Sequence, residues 1–270
     1  MSILINEYKI NFGKQITWFV FLVIIVTMFL LAFPIINDPS VQPIVESNLK
    51  DIPETIKNVI FPLGIEAFNN LRLYYNTILI FVSFMVSVFA LNIGLGSLAR
   101  EQGFGTIEYI YINPISRGEI LVYKFIANVL NLLFLLIALF IAITYAYSYV
   151  GDVDFIETMR SQINNFITIF VQGFLFLSLG TMISSFSKRT TGLGGISTII
   201  ILALLLLNIL ISGKMISIPG HEFIPLRTLQ ETYNYDISRL FISWLIGSLI
   251  PSIVFLLIGN INYERKDLII

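Results

Sequence analysis

The stretch LYYNTILIFVSFMVSVFALNIGLGSLA, residues 73–99, runs for 27 positions without an Asp, Glu, Lys or Arg. A helix needs roughly 20 apolar residues to cross the ~30 Å hydrocarbon core of a bilayer, so this run spans it with turns to spare. Backbone groups inside lipid must be satisfied within the segment, which makes a helix the expected form. Five more uncharged runs accompany it: Gln15–Asn37, Phe125–Gly151, Ser161–Ser187, Thr190–Gly213 and Leu240–Tyr263. The expected fold is all-α: a polytopic membrane protein with six transmembrane helices at about 16–36, 75–98, 121–147, 163–186, 192–212 and 240–260.

Composition agrees. Hydrophobic residues make up 56% of the chain and charged ones 12%, with a mean hydropathy of +0.86, well outside soluble averages. No segment between the runs is long enough for a soluble domain of ordinary size, so residues 1–270 read as a single transmembrane domain. The net charge of -1 sits in short loops and points to no nucleic acid. With zero cysteines there is neither a disulfide framework nor a thiolate metal site.

The first run is longer than the apolar core of a signal peptide, and no small-x-small cleavage site follows it. It reads as a retained span. Ahead of it, residues 1–14 place Leu4, Ile5, Tyr8 and Phe12 on one helical face and Asn6, Glu7, Lys9 and Asn11 elsewhere. That pattern suits an interfacial helix lying flat on the membrane, with a frayed, solvated terminus as the alternative.

Orientation follows from Lys and Arg in short loops. With the N-terminus inside, nine Lys/Arg and six acids fall on the inner side, against seven and eleven outside. Both termini are therefore expected to be cytoplasmic, in a cell membrane that is a prokaryotic plasma membrane. The outer loops are 37–74 and 213–239. The one substantial cytoplasmic loop is 100–119, where Gly103 and Gly105 permit a turn, Thr106–Ile112 can form a short helix, and Pro114 closes it. Ser116 with Glu119 three residues on reads as a capping box opening the third span. A short, partly apolar helix held between two rigid spans suits docking into a groove on a partner.

This loop resembles that of the permease subunit of type-2 ABC exporters, which follows the second of six spans. Arg100, Glu101, Gly105, Thr106, Glu108, Pro114, Ser116, Arg117, Glu119 and Lys124 match that family's pattern in order, with Gly103-Phe104 lengthening the spacing by one residue. The resemblance implies that Arg100, Glu101, Gly105, Thr106, Ile107, Glu108, Tyr111, Pro114 and Arg117 couple the chain to a separate ABC ATPase subunit. No G-x-x-x-x-G-K-[ST] phosphate loop occurs in the sequence, so no cofactor is expected on this chain, and ATP and Mg belong to the partner. The family implies two permease and two ATPase subunits, most simply a homodimer of each.

Small residues run down the second span as Ser83, Ser87, Ala90, Gly94 and Ser97, and down the fourth as Gly173, Gly180, Ser184 and Ser187. Such stripes let helices approach closely. Helix packing and a translocation wall both remain open, and the amides Asn92, Asn128, Asn131, Gln172 and Asn208 fit either reading. No ionisable residue falls at mid-membrane, which disfavours coupling to an ion gradient. Pro251 is expected to kink the last span. His221-Glu222 lacks the second histidine of a zinc protease motif, and no catalytic constellation appears. Asp152, Asp154 and Glu157 form either a solvated acidic loop or a cation site.

The expected function is the transmembrane permease subunit of an ATP-driven exporter, with amphipathic cargo such as a peptide, lipid or drug. The alternative is a complex of the same architecture passing mechanical signals to an outer partner protein. The chain is expected not to be an enzyme by itself.

Overall fold

The computed structural model describes residues 2–50, 69–104, 115–187, 193–212, 218–224 and 237–266, with positions 52, 53, 57 and 216 besides. Among the described residues there is no strand. The helices are α1 (Ser2–Ile36), α2 (Gln42–Lys50), α3 (Leu71–Phe104), α4 (Arg117–Gly151), α5 (Phe155–Phe186), α6 (Leu193–Ser212), α7 (Ile237–Trp244) and α8 (Ile250–Arg265).

Five helical stretches are long and apolar enough to cross a membrane: Ile3–Ile36, Leu71–Arg100, Arg117–Gly151, Phe155–Phe186 and Ser238–Arg265. The remaining run gives a shorter apolar helix, Leu193–Asn208, within α6. Its 20 residues reach roughly 30 Å at 1.5 Å per residue, with little margin. The other helices gain length because their caps lie beyond the apolar run. Ser116 Oγ accepts from the Glu119 N–H at 3.3 Å while the Glu119 carboxylate accepts from the Ser116 N–H at 2.9 Å, the capping box read from sequence. At the other end of α4, Asp152 takes a left-handed conformation (φ 48°) and its N–H bonds the Ser148 carbonyl. Asp154 then caps α5 by accepting from the Glu157 N–H at 3.0 Å. The acidic link is thus a two-cap connection between helices.

The interfacial helix expected at 1–14 is corrected by the structure. Helix α1 runs unbroken from Ser2 to Ile36. Nothing stops it at Gly13, and no proline intervenes before Pro34. Its polar residues also face the other way from the expectation. Glu7 and Asn11 are buried (2% and 0% exposed), while Ile5, Ile10 and Phe12 are exposed. The periodicity is real, but the polar stripe meets charges on other helices rather than water.

The last span carries the irregularity expected near Pro251. Between α7 and α8 lies a π-helical turn, Leu245–Leu249. Proline has no N–H to offer the carbonyl four residues back, so the regular ladder cannot pass it. Gly247 in that turn is backed by the Phe223 carbonyl, which a Cβ would meet at 2.8 Å. The 3-10 turn His221–Phe223 therefore sits directly against the π turn.

Helices α3 and α5 form the most extensive seam, α1 lies along α4, and α8 lies along α5. The core between them is built from Leu79, Val86, Phe89, Leu132, Leu139, Phe176 and Leu177. Near the Asp152 end it closes with ring pairs Tyr75–Tyr147 and Phe140–Phe166, each with centroids 4.5 Å apart. Outside, Met28 and Phe29 on α1, Ile141 on α4 and Leu257 on α8 are exposed. A soluble monomer rarely carries so continuous an apolar surface; facing hydrocarbon, it is the expected exterior of a multi-pass membrane protein.

Candidate functional site

The end of the bundle where residues 105–114 join α3 to α4 gathers most of the described ionic contacts. Gly105, Thr106, Ile107, Glu108, Tyr111 and Pro114 lie outside the described residues, and of Glu101 only the helical backbone is described. What is described are the two stems. Arg100 stands in the last full turn of α3, and Arg117 opens α4.

Arg100 turns inward to Glu7 of α1, with Nη1 at 3.7 Å from Oε1. Lys124, two turns into α4 and 1% exposed, reaches the same carboxylate, with Nζ at 3.8 Å from Oε2. One carboxylate therefore holds a cation from each stem of the loop. Asn11, one turn along α1, completes the group. It donates to Glu7 Oε1 at 3.1 Å and to Asn128 Oδ1 of α4 at 2.7 Å, and accepts from Arg100 Nη2 at 3.1 Å. Lys124 also donates to the Ser97 carbonyl of α3 at 2.7 Å. Buried charges persist only when paired and hydrogen-bonded, and here every one is tied to a different helix. Above the charges the seam continues in amides. Gln15 Oε1, Asn128 Nδ2 and Asn131 Oδ1 are buried there without a hydrogen-bond partner among the described residues, although Asn131 donates to the Ala127 carbonyl at 3.1 Å.

Arg117, placed by resemblance in the coupling set, engages the end of the chain. Its Nη1 donates to the Glu264 carbonyl at 3.3 Å and to the Lys266 carbonyl. Lys266 in turn donates to the Ser185 and Ser187 carbonyls at 2.9 and 2.6 Å, satisfying the last turn of α5. The first turn of α4 is thus clasped to the ends of α5 and α8. In its second turn Lys124 meets α1 and α3. Between them the two stems are anchored, by different chemistry, to α1, α5 and α8.

The small-residue stripes meet each other. A Cβ on Gly94 would lie 2.6 Å from the Leu177 carbonyl and 3.1 Å from the Gly180 Cα; one on Gly180 would lie 2.6 Å from the Leu91 carbonyl. Ser83, Ser87, Ala90 and Ser97 are each fully buried. Gln172 of α5 donates to Ser87 Oγ at 2.8 Å, and Ser184 Oγ accepts from the Leu98 and Ala99 N–H groups at 3.0 and 2.9 Å. Within this chain the stripes are a packing seam. Asn92 accepts from Ser197 of α6 at 2.9 Å, and Asn208 is buried on α6.

Glu7 and Asn11 were placed by sequence on a solvated face, and their role at the loop stems was missed. The available signal was spacing. Glu7, Asn11 and Gln15 recur every four residues on a helix, and Lys124, Asn128 and Asn131 form a matching stripe on another. Chemically the arrangement is a carboxylate shared by two cations and oriented by an amide. It is a buried junction through which displacement of the loop would reach α1, α3 and α4 together. No curated protein matches the sequence. A family model described as ABC-2 family transporter protein matches residues 1–268.

Proposed function

We propose, from the fact that this chain belongs to the ABC-2 transporter family, that it is the permease subunit of an ATP-driven exporter powered by a separate ABC ATPase. The observation that carries the reading is the Glu7 junction. A loop held at both stems by buried charge suits a lever that takes force from outside the membrane. In this reading all six apolar runs cross, α6 included, and both termini are cytoplasmic. Residues 105–114 meet the ATPase, with Glu108 as their charged contact. ATP and Mg stay on the partner, because this sequence has no phosphate loop. Two permeases, most simply identical, face two ATPase subunits in a prokaryotic plasma membrane. Cargo is amphipathic, in keeping with long, aromatic-rich helices.

The test is purification of tagged permease from its own host. An ABC ATPase subunit should come with it, and the verified-pure permease alone should hydrolyse no ATP. Specific turnover by the isolated chain, or the absence of any ATPase partner, overturns the reading.

A further inference from the structure

The junction does more than anchor a loop, and the residue that makes it lies far from the loop in sequence. Arg100 and Lys124 carry like charges and stand on opposite stems, so without an anion between them they repel. Glu7 is the carboxylate on α1 that both reach, at 3.7 and 3.8 Å, and it is 2% exposed. Asn11, also on α1, orients both the carboxylate and the Arg100 guanidinium. The spacing of the two stems is thereby set by α1, which takes no part in the loop itself.

We propose that Glu7 is a positioning residue, acting through Arg100 and Lys124, that makes α1 the helix to which engagement of the ATPase is transmitted. This rests on the transporter reading above. Because Glu7 binds both stems, any change in their separation or tilt displaces the first turns of α1. Because α1 is one unbroken helix, its far end must follow. Glu7 touches neither nucleotide nor cargo, so its loss should leave ATP hydrolysis running while the far end of α1 stays still.

The sequence holds no cysteine, so thiol spin labels on the purified permease go only to introduced positions before the ATPase is added. Ile35→Cys at the far end of α1 and Ile156→Cys in the first turn of α5 are both exposed positions. The distance between their labels is measured in the intact permease–ATPase complex in lipid nanodiscs, with and without ATP plus vanadate. The wild-type distance should shift. In Glu7→Gln the shift should fall to less than half while the complex still hydrolyses ATP with an unchanged KM. In Glu7→Asp, which keeps the charge on a shorter arm, it should lie between the two. A full shift in Glu7→Gln overturns the proposal. Should that variant not assemble, Glu7→Asp decides alone: a full shift overturns the proposal and a reduced one supports it. Failure of the wild-type complex to assemble, or of ATP to move its labels, instead overturns the transporter reading and this inference with it.

Discussion

Between α3 and α5 the helices touch backbone to backbone at Gly94 and Gly180, whereas α1 and α4 meet through Glu7, Asn11 and Gln15 against Lys124, Asn128 and Asn131. The first seam is small and close, and all but one of its buried polar atoms are bonded among the described residues: Ser87 takes the Gln172 Nε2 donor and Ser184 takes two backbone N–H groups, while Gln172 Oε1 stands alone. The second is charged, and three of its polar atoms have no partner among the described residues. A seam of small residues draws its energy from close contact that only one packing provides. A partly satisfied polar seam can exchange partners, since membrane-embedded hydrogen bonds average only ~0.6 kcal/mol each. The first seam is built to hold a fold and the second to permit a shift.

The sharpest way to break this contrast is Gly180→Leu. Its Cβ would fall 2.6 Å from the Leu91 carbonyl and 2.9 Å from the Leu95 nitrogen, both backbone atoms that cannot rotate away. The cost should exceed the ~1–3 kcal/mol usual for overpacking, and the expected result is loss of monodisperse protein on size exclusion. A variant that elutes and melts like wild type would show that the α3–α5 seam is not fixed. Next comes Glu7→Gln, which removes the carboxylate that Arg100 and the buried Lys124 both face. Breaking a buried pair costs ~3–5 kcal/mol, and the lower end is expected because Arg100 is partly open to solvent. The thermal midpoint in nanodiscs should fall clearly but by less than for Gly180→Leu. A larger fall would invert the comparison. Ser87→Ala removes the 2.8 Å bond from Gln172 and the 2.7 Å bond that Ser87 donates to the Ser83 carbonyl; at ~0.6 kcal/mol each, about 1 kcal/mol is expected, visible as a small shift of the same midpoint.

The smallest effect lies at the far end of α1, outside both seams. Asp38 accepts from the Ser40 side chain and backbone, which holds its carboxyl below the usual carboxylate range. A depressed folded pKa means that this turn's contribution is present above the ordinary carboxyl pKa and is lost as pH falls through the depressed value. The Ser40 amide resonance should therefore titrate at lower pH than a free carboxyl, and Asp38→Asn should flatten it. Titration at the ordinary value would remove the turn's ionic character.

Helix placement was legible because uncharged runs in a chain of this hydropathy admit few other forms. The Ser116–Glu119 box and the break at Pro251 were legible because each depends on residues within a few positions. The direction of the polar face of α1 was not. Periodicity says which residues share a face, not whether that face meets water or a lysine more than a hundred residues away. Arg117 teaches the same lesson in reverse. Its place in a family-like motif points outward to a partner, while its guanidinium is tied to carbonyls at the end of α8, a contact no local pattern contains. The loop residues from Gly105 to Pro114 stand on resemblance alone.

The continuity of α1 has a mechanical side. From Glu7 to Ile36 the helix advances about 44 Å at 1.5 Å per residue, more than the thickness of the hydrocarbon it crosses. A rod of that length pivoting at Glu7 turns angle into travel: a tilt of about 10° carries its far tip about 8 Å sideways, a displacement larger than one helical turn. Small rotations at the stems of a ten-residue loop would thus arrive at the opposite face of the membrane as movements on the scale of a whole side chain.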